Sequence, residues 1–96
     1  MTERFRLVNK LELKKDNKLI KIRVSTVELS GDDYELPFET MIFQDTDSDI
    51  AIADFQERYK TKEEAKKNHY HILDMLQSNF FELIPTEYKI KIRGYE

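Results

Sequence analysis

Arg58-Tyr59-Lys60-Thr61-Lys62-Glu63-Glu64-Ala65-Lys66-Lys67-Asn68-His69-Tyr70-His71-Ile72-Leu73-Asp74-Met75-Leu76-Gln77-Ser78-Asn79-Phe80 is the stretch whose reading decides the fold. Thr61 stands three residues before Glu64, the spacing of a capping box at a helix N-terminus. Ala65, His69, Ile72, Leu73, Leu76 and Phe80 then recur at helical spacing, so one amphipathic helix is predicted here. Everything around it reads as strand.

Upstream, Phe5, Leu7, Leu11 and Leu13 share one parity, and Arg4, Arg6, Lys10, Glu12 and Lys14 the other. Lys15-Asp16-Asn17-Lys18 is a polar turn, after which Ile20, Ile22 and Val24 alternate with Lys21 and Arg23. The pair predicts an antiparallel hairpin. Val27 and Leu29 continue the apolar pattern one position out of phase, and a bulge near Ser25-Thr26 is the expected cause. Ser30-Gly31-Asp32-Asp33 is a turn cluster. A third strand follows Pro37, apolar on both parities: Phe38 and Ile42 against Met41 and Phe43. Such a strand is covered on both faces or lies at a subunit contact. A fourth strand, Ile50 to Tyr59, leads into the helix. Tyr88, Ile90 and Ile92 alternate with Lys89, Lys91 and Arg93 in a last strand. The fold class expected is α+β: an antiparallel sheet of about five strands with one long helix on one face.

Composition bounds the function. The 96 residues suit a single domain over 1–96, too small for a deep catalytic cavity, since such a chain buries only roughly 60–65% of its unfolded surface. The chain has no cysteine, which removes disulfides, Cys-ligated zinc and thiol nucleophiles together. No apolar run reaches the roughly 18–20 residues that span a bilayer. The first residues lack a signal-peptide apolar region, so no membrane association and a cytoplasmic location are expected. The net charge of −3 is unevenly spread: residues 1–31 carry +4, residues 32–57 carry −9 without one Lys or Arg, and residues 58–96 carry +2.

Chemistry-bearing patterns are sparse. Asp45, Asp47 and Asp49 have the spacing that opens a calcium loop, but Ile50 and Gln56 occupy the positions that need Gly and a bidentate Glu. No metal site is assigned, and the aspartates read as a solvated turn. His69 and His71, the only imidazoles, lie about 200° apart on a helix and cannot share a metal. His69 sits on the apolar stripe and reads as a buried or boundary histidine hydrogen-bonded to a neighbouring strand. No Ser lies in a G-x-S-x-G elbow, and the two glycines form no phosphate loop. No catalytic residue and no cofactor are expected; the chain reads as a non-enzyme.

Two binding readings remain. Phe38, Met41 and Phe43 mark an apolar strand surface for a protein partner or for self-association, including a homodimer. In the alternative, the outer strand parity tracks nucleic acid through Lys21, Arg23, Lys89, Lys91 and Arg93. That face lacks the base-stacking aromatics of RNA-recognition sheets, and edge lysines also protect against aggregation, so protein contact leads.

Val24-Ser25-Thr26-Val27, Phe38-Glu39-Thr40-Met41-Ile42-Phe43 and Arg58-Tyr59-Lys60-Thr61 through Ala65 with His69 resemble a group of small bacteriophage and prophage proteins. Members share V-S-T-V, F-E-T-M-x-F and R-Y-x-T-x-x-E-A segments followed by a histidine. This chain departs from them at Asn68, where members often carry glycine. The resemblance covers the central half of the chain. It implies a phage-derived accessory protein inside a bacterial cell, with no established activity, and it draws attention to His69 and Glu39 as a polar site.

Overall fold

A computed structural model describes residues 4–29, 35–45, 55–84 and 89–92. The expected α+β architecture is present. Strands β1 (Arg6–Lys15), β2 (Lys18–Glu28), β3 (Phe38–Gln44) and β4 (Phe55–Tyr59) form an antiparallel sheet in the order β1-β2-β3-β4. Helix α1 (Lys62–Gln77) packs on one face of that sheet. Strands β5 (Phe81–Ile84) and β6 (Lys89–Ile92) pair with each other as a separate two-stranded sheet. The last strand therefore does not extend the main sheet. A four-residue strand directly after the helix is too short to show a period, which is why β5 leaves no mark in the hydropathy pattern.

The β1–β2 turn is a two-residue hairpin in which Asp16 and Asn17 have φ of 54° and 63°. Positive φ at both central positions matches the right-handed twist of the flanking strands, and Asp and Asn tolerate it well. From this turn the β1–β2 register runs unbroken from Lys15↔Lys18 to Arg6↔Val27, and β2–β3 from Ile22↔Gln44 to Glu28↔Phe38. The expected bulge is absent. Thr26 stays on the inward parity with Ile20, Ile22 and Val24 and is fully buried, while Val27 lies on the opposite face. The apparent phase slip is a polar residue buried in the core.

Thr61 caps the helix: its Oγ1 accepts the Glu64 N–H at 3.2 Å, leaving one fewer orphan donor. The helix ends in a Schellman motif. Asn79 adopts φ 65°, its N–H reaches the Leu76 carbonyl at 3.2 Å, and the Phe80 N–H reaches Met75 at 2.9 Å. The chain therefore leaves the helix before Phe80, which is 51% exposed instead of closing the apolar stripe.

Ala65, His69, Ile72, Leu73 and Leu76 form the buried helix face. Ile72, Leu73 and Leu76 pack with Ile20, Ile22, Val24, Ile42, Phe55, Phe81 and Ile92 into the main core, so the β5–β6 pair contributes to it through Phe81 and Ile92. Each of these large side chains contributes about 1.5–3 kcal/mol when fully buried. Phe38, Tyr59 and Ala65 make a second cluster, with Phe5 packed edge-on to Phe38 at 5.9 Å. Lys15 ties β1 to the helix exit: its ammonium donates to the carbonyls of Phe81 and Asn79, the latter at 3.4 Å, and lies 4.4 Å over the Phe81 ring. No helix among the described residues is long and apolar enough to cross a membrane.

Candidate functional site

Strand alternation divides the sequence candidates between two faces. Phe38, Thr40 and Ile42 point toward α1, whereas Glu39, Met41 and Phe43 point away from it. This corrects the grouping of Phe38 with Met41 and Phe43: Phe38 is a core residue, and only the other two contribute to the face opposite α1.

On the inner face lies a chain of polar groups enclosed by the core. His69, Thr26 and Thr40 are each 0% exposed. Thr26 and Thr40 face each other in the β2–β3 register, with their hydroxyl oxygens 2.5 Å apart. Thr26 Oγ1 is 2.7 Å from His69 Nδ1, and His69 Nε2 is 2.8 Å from Asn9 Oδ1. Because Asn9 Oδ1 only accepts, Nε2 carries the ring proton of the neutral imidazole. Nδ1 then accepts from Thr26, whose oxygen accepts from Thr40. Burial pushes the His69 pKa below the ordinary 6.5, as expected where the charged form is desolvated. His69 thus has the strand partners that its place on the stripe implies. Asn9 and the two threonines are the residues that the hydropathy reading missed. Asn9 does interrupt the apolar parity between Leu7 and Leu11, and that interruption is the available signal.

The outer face is built by direct cross-strand neighbours. Val8 faces Ser25, Ser25 faces Met41 and Met41 faces Gln56, while Arg23 pairs with Phe43 and Glu39 with Arg58. The Arg23 guanidinium lies 5.0 Å over the Phe43 ring, a cation–π contact. Glu39, the other member of the expected polar site, is nearly buried and belongs to this face rather than to the His69 chain. Arg58 Nε donates to Glu39 Oε2 at 2.9 Å, and Gln56 Nε2 donates to the same oxygen. Met41 and Phe43 remain half-buried and Val8 is 38% exposed.

Charge on this face is uneven. Its outward positions hold six cations, Arg6, Lys10, Lys14, Lys21, Arg23 and Arg58, against the two carboxylates Glu12 and Glu39, a surplus of four. Lys21 and Arg23 lie here as expected. Lys89 and Lys91 do not, because β6 pairs with β5 in the other sheet. Arg93 and the loop residues Asp47 and Asp49 lie outside the described residues. Among the described residues no group of three or more His, Asp or Glu is placed to hold a metal ion. An open groove of about 290 Å³ lies beside the face, lined by Lys10, Leu11, Glu12, Lys21 and Asp45, with cations and carboxylates in equal number.

Compared with known protein families, curated proteins and solved structures, the chain matches none.

Proposed function

We propose that the protein is a binding module that contacts an acidic protein partner through the sheet face opposite α1. The observation that carries this reading is the combination of half-exposed Met41 and Phe43 with a cationic surplus on one side of β1–β4. Apolar centres ringed by charge are how transient interfaces combine burial with selection. The same surplus disfavours a second copy docked face to face, since like charges would meet across the seam. A binding role rather than catalysis is supported by His69, whose two ring nitrogens are both engaged inside the core. The setting we attach to it, a phage or prophage accessory protein in the bacterial cytoplasm, rests on the three-segment resemblance alone.

Nucleic acid is the second reading, favoured by the line of Arg6, Lys10, Lys14, Lys21 and Arg23. Among the described residues of this face a single outward aromatic, Phe43, already stacked by Arg23, gives bases little to stack on. The test is native mass spectrometry of the purified protein without nuclease treatment, followed by affinity capture with wild type, Met41→Asp and Arg23→Glu. An acidic protein retained by wild type at physiological salt and lost by both variants supports the proposal. Nuclease-sensitive mass that dissociates steeply with salt moves the function to nucleic acid. Retention unchanged in both variants removes this face from consideration.

A further inference from the structure

We propose that His69 is a pH-sensitive lock: in mildly acid solution its ring turns from Thr26 and Thr40 toward Asn9, and α1 loosens from β2 and β3. The inference is independent of the binding reading above. It stands first on the geometry of the polar chain. In the neutral state each donor meets one acceptor: Thr40 hydroxyl to Thr26, Thr26 hydroxyl to Nδ1, Nε2–H to Asn9. A proton added at Nδ1 reverses this order. Nδ1 then donates to Thr26, the Thr26 hydroxyl must turn to Thr40, and the Thr40 hydroxyl must find a new acceptor in the core. The Nε2–H···Asn9 bond alone survives, and it strengthens with charge.

The surroundings favour the same direction. Helix residues Ile72 and Leu73 and the strand residues Val24 and Ile42 are apolar, so an imidazolium here lacks solvation. The charged or titratable inward groups of the strands against α1 are Lys15 on β1, Lys18 and Glu28 on β2, and Glu57 and Tyr59 on β4, with Lys18 exposed beside the β1–β2 turn. Lys15 is engaged at the helix exit, and Glu28 Oε1 accepts the Phe5 N–H. Glu57 faces Thr40 across the β3–β4 pair. On α1 itself, Lys62, Glu63, Glu64, Lys66, Lys67, Tyr70, His71 and Asp74 are exposed. Both ring nitrogens of His69 meet neutral partners. Asn9, in contrast, is exposed although it lies on the inward parity of the edge strand. It is the side on which a charged ring reaches water.

The sign follows from burial. The folded state holds the neutral ring, and the unfolded chain takes up the proton near 6.5. Stability is therefore complete above that pH, falls as pH drops through it, and levels off below the pKa of the folded state. One proton limits the change to about tenfold in opening equilibrium per pH unit.

The experiment uses the full chain with His71→Gln, so that His69 gives the only imidazole signals. Nitrogen-15 spectra are expected to show the Nε2–H tautomer and a titration midpoint below 6.5. Amide exchange of α1, corrected for intrinsic rate, is followed from about pH 7.5 to about 5.5 and is expected to rise by up to tenfold per unit. His69→Gln should abolish that rise. Asn9→Asp, a change at an exposed position, should raise the His69 midpoint toward the ordinary value and shrink the rise by supplying the missing countercharge; it decides the question if His69→Gln does not fold. A midpoint at or above the ordinary value, exchange that is flat with pH, a rise that persists in His69→Gln, or no upward shift in Asn9→Asp overturns the proposal.

Discussion

Replacing Thr26 by Val tests the buried polar chain against the hydropathy pattern that conceals it. Val nearly matches Thr in volume, favours strands, and would complete an inward apolar series after Ile20, Ile22 and Val24. On hydrophobicity alone Thr26→Val should stabilise the fold. The structure requires the opposite. Thr26 Oγ1 bonds both Thr40 Oγ1 at 2.5 Å and His69 Nδ1 at 2.7 Å, and all three residues are fully buried. Removing the hydroxyl leaves two polar groups without their shared partner, each costing about 1–3 kcal/mol. Partial rescue by rotation of the Thr40 hydroxyl and the apolar gain of the new methyl bring the expected net loss to about 2–4 kcal/mol. Against a typical total of roughly 5–15 kcal/mol this is a large fraction. Thr26→Ser keeps the hydroxyl and removes one methyl, for a loss of about 1 kcal/mol. Urea denaturation at pH 7.5, where His69 is neutral, compares the three proteins. With a slope near the low end of about 1–3 kcal/mol/M, the Val variant should unfold more than 1 M below wild type and the Ser variant between them. A Val variant as stable as wild type, or a Ser variant less stable than Val, refutes the hydrogen-bonded chain.

Asn79→Ala should lower stability by about 1 kcal/mol and Asn79→Gly should leave it equal or slightly higher, because the residue holds φ 65° in the helix stop; thermal melts of both variants check this. Lys15→Met keeps the aliphatic stem but loses the ammonium at the Asn79 and Phe81 carbonyls and over the Phe81 ring, and should cost about 1–2 kcal/mol by urea denaturation. Arg58→Ala should cost about 1–2 kcal/mol, below the usual figure for a broken buried pair. The Glu39 side chain is only 10% exposed, but Arg58 is 41% exposed and screened by solvent, and Gln56 still donates to the carboxylate. Glu39→Gln in the Arg58→Ala background should restore part of that loss, and failure to do so removes the stranded carboxylate as its cause.

The elements that hydropathy reveals here are those whose order depends on neighbours in sequence. The β1–β2 hairpin follows from period-two alternation around Asp16-Asn17, and α1 from the Thr61 cap and the stripe from Ala65 to Leu76. His69 on that stripe is legible as a buried histidine with strand partners. Its particular partners are not, because Thr26 and Asn9 lie 43 and 60 residues away and qualify only once β1, β2 and α1 are stacked. Thr26 invites the reading of a bulge for the same reason: a scale that scores it polar moves the apolar phase to Val27. Phe38, Met41 and Phe43 look like one patch because closeness in sequence conceals that a strand turns alternate residues to opposite sides. Lys89 and Lys91 join the basic face only if the last strand joins the main sheet. That depends on whether Phe81–Ile84 forms a strand of its own.

The buried chain and the open face are coupled through strand register. Sliding β3 along β2 by one residue would turn its apolar set outward, which burial forbids. Sliding it by two residues keeps every side chain on its face, so hydrophobicity alone does not exclude that slip. The polar core does. A two-residue slip sets Thr26 opposite Phe38 or Ile42 instead of Thr40, separating the two hydroxyls and leaving the chain to His69 incomplete. The same slip would carry Met41 from Ser25 to Arg23 or Val27 and take Phe43 from beneath Arg23. An apolar pair in place of the threonines would cost less to bury but would not distinguish these registers. Polar groups retained inside a core can serve this selecting role. In this chain the register that pairs the interior hydroxyls is also the one that places Arg23, Met41 and Phe43 together on the far side of the sheet.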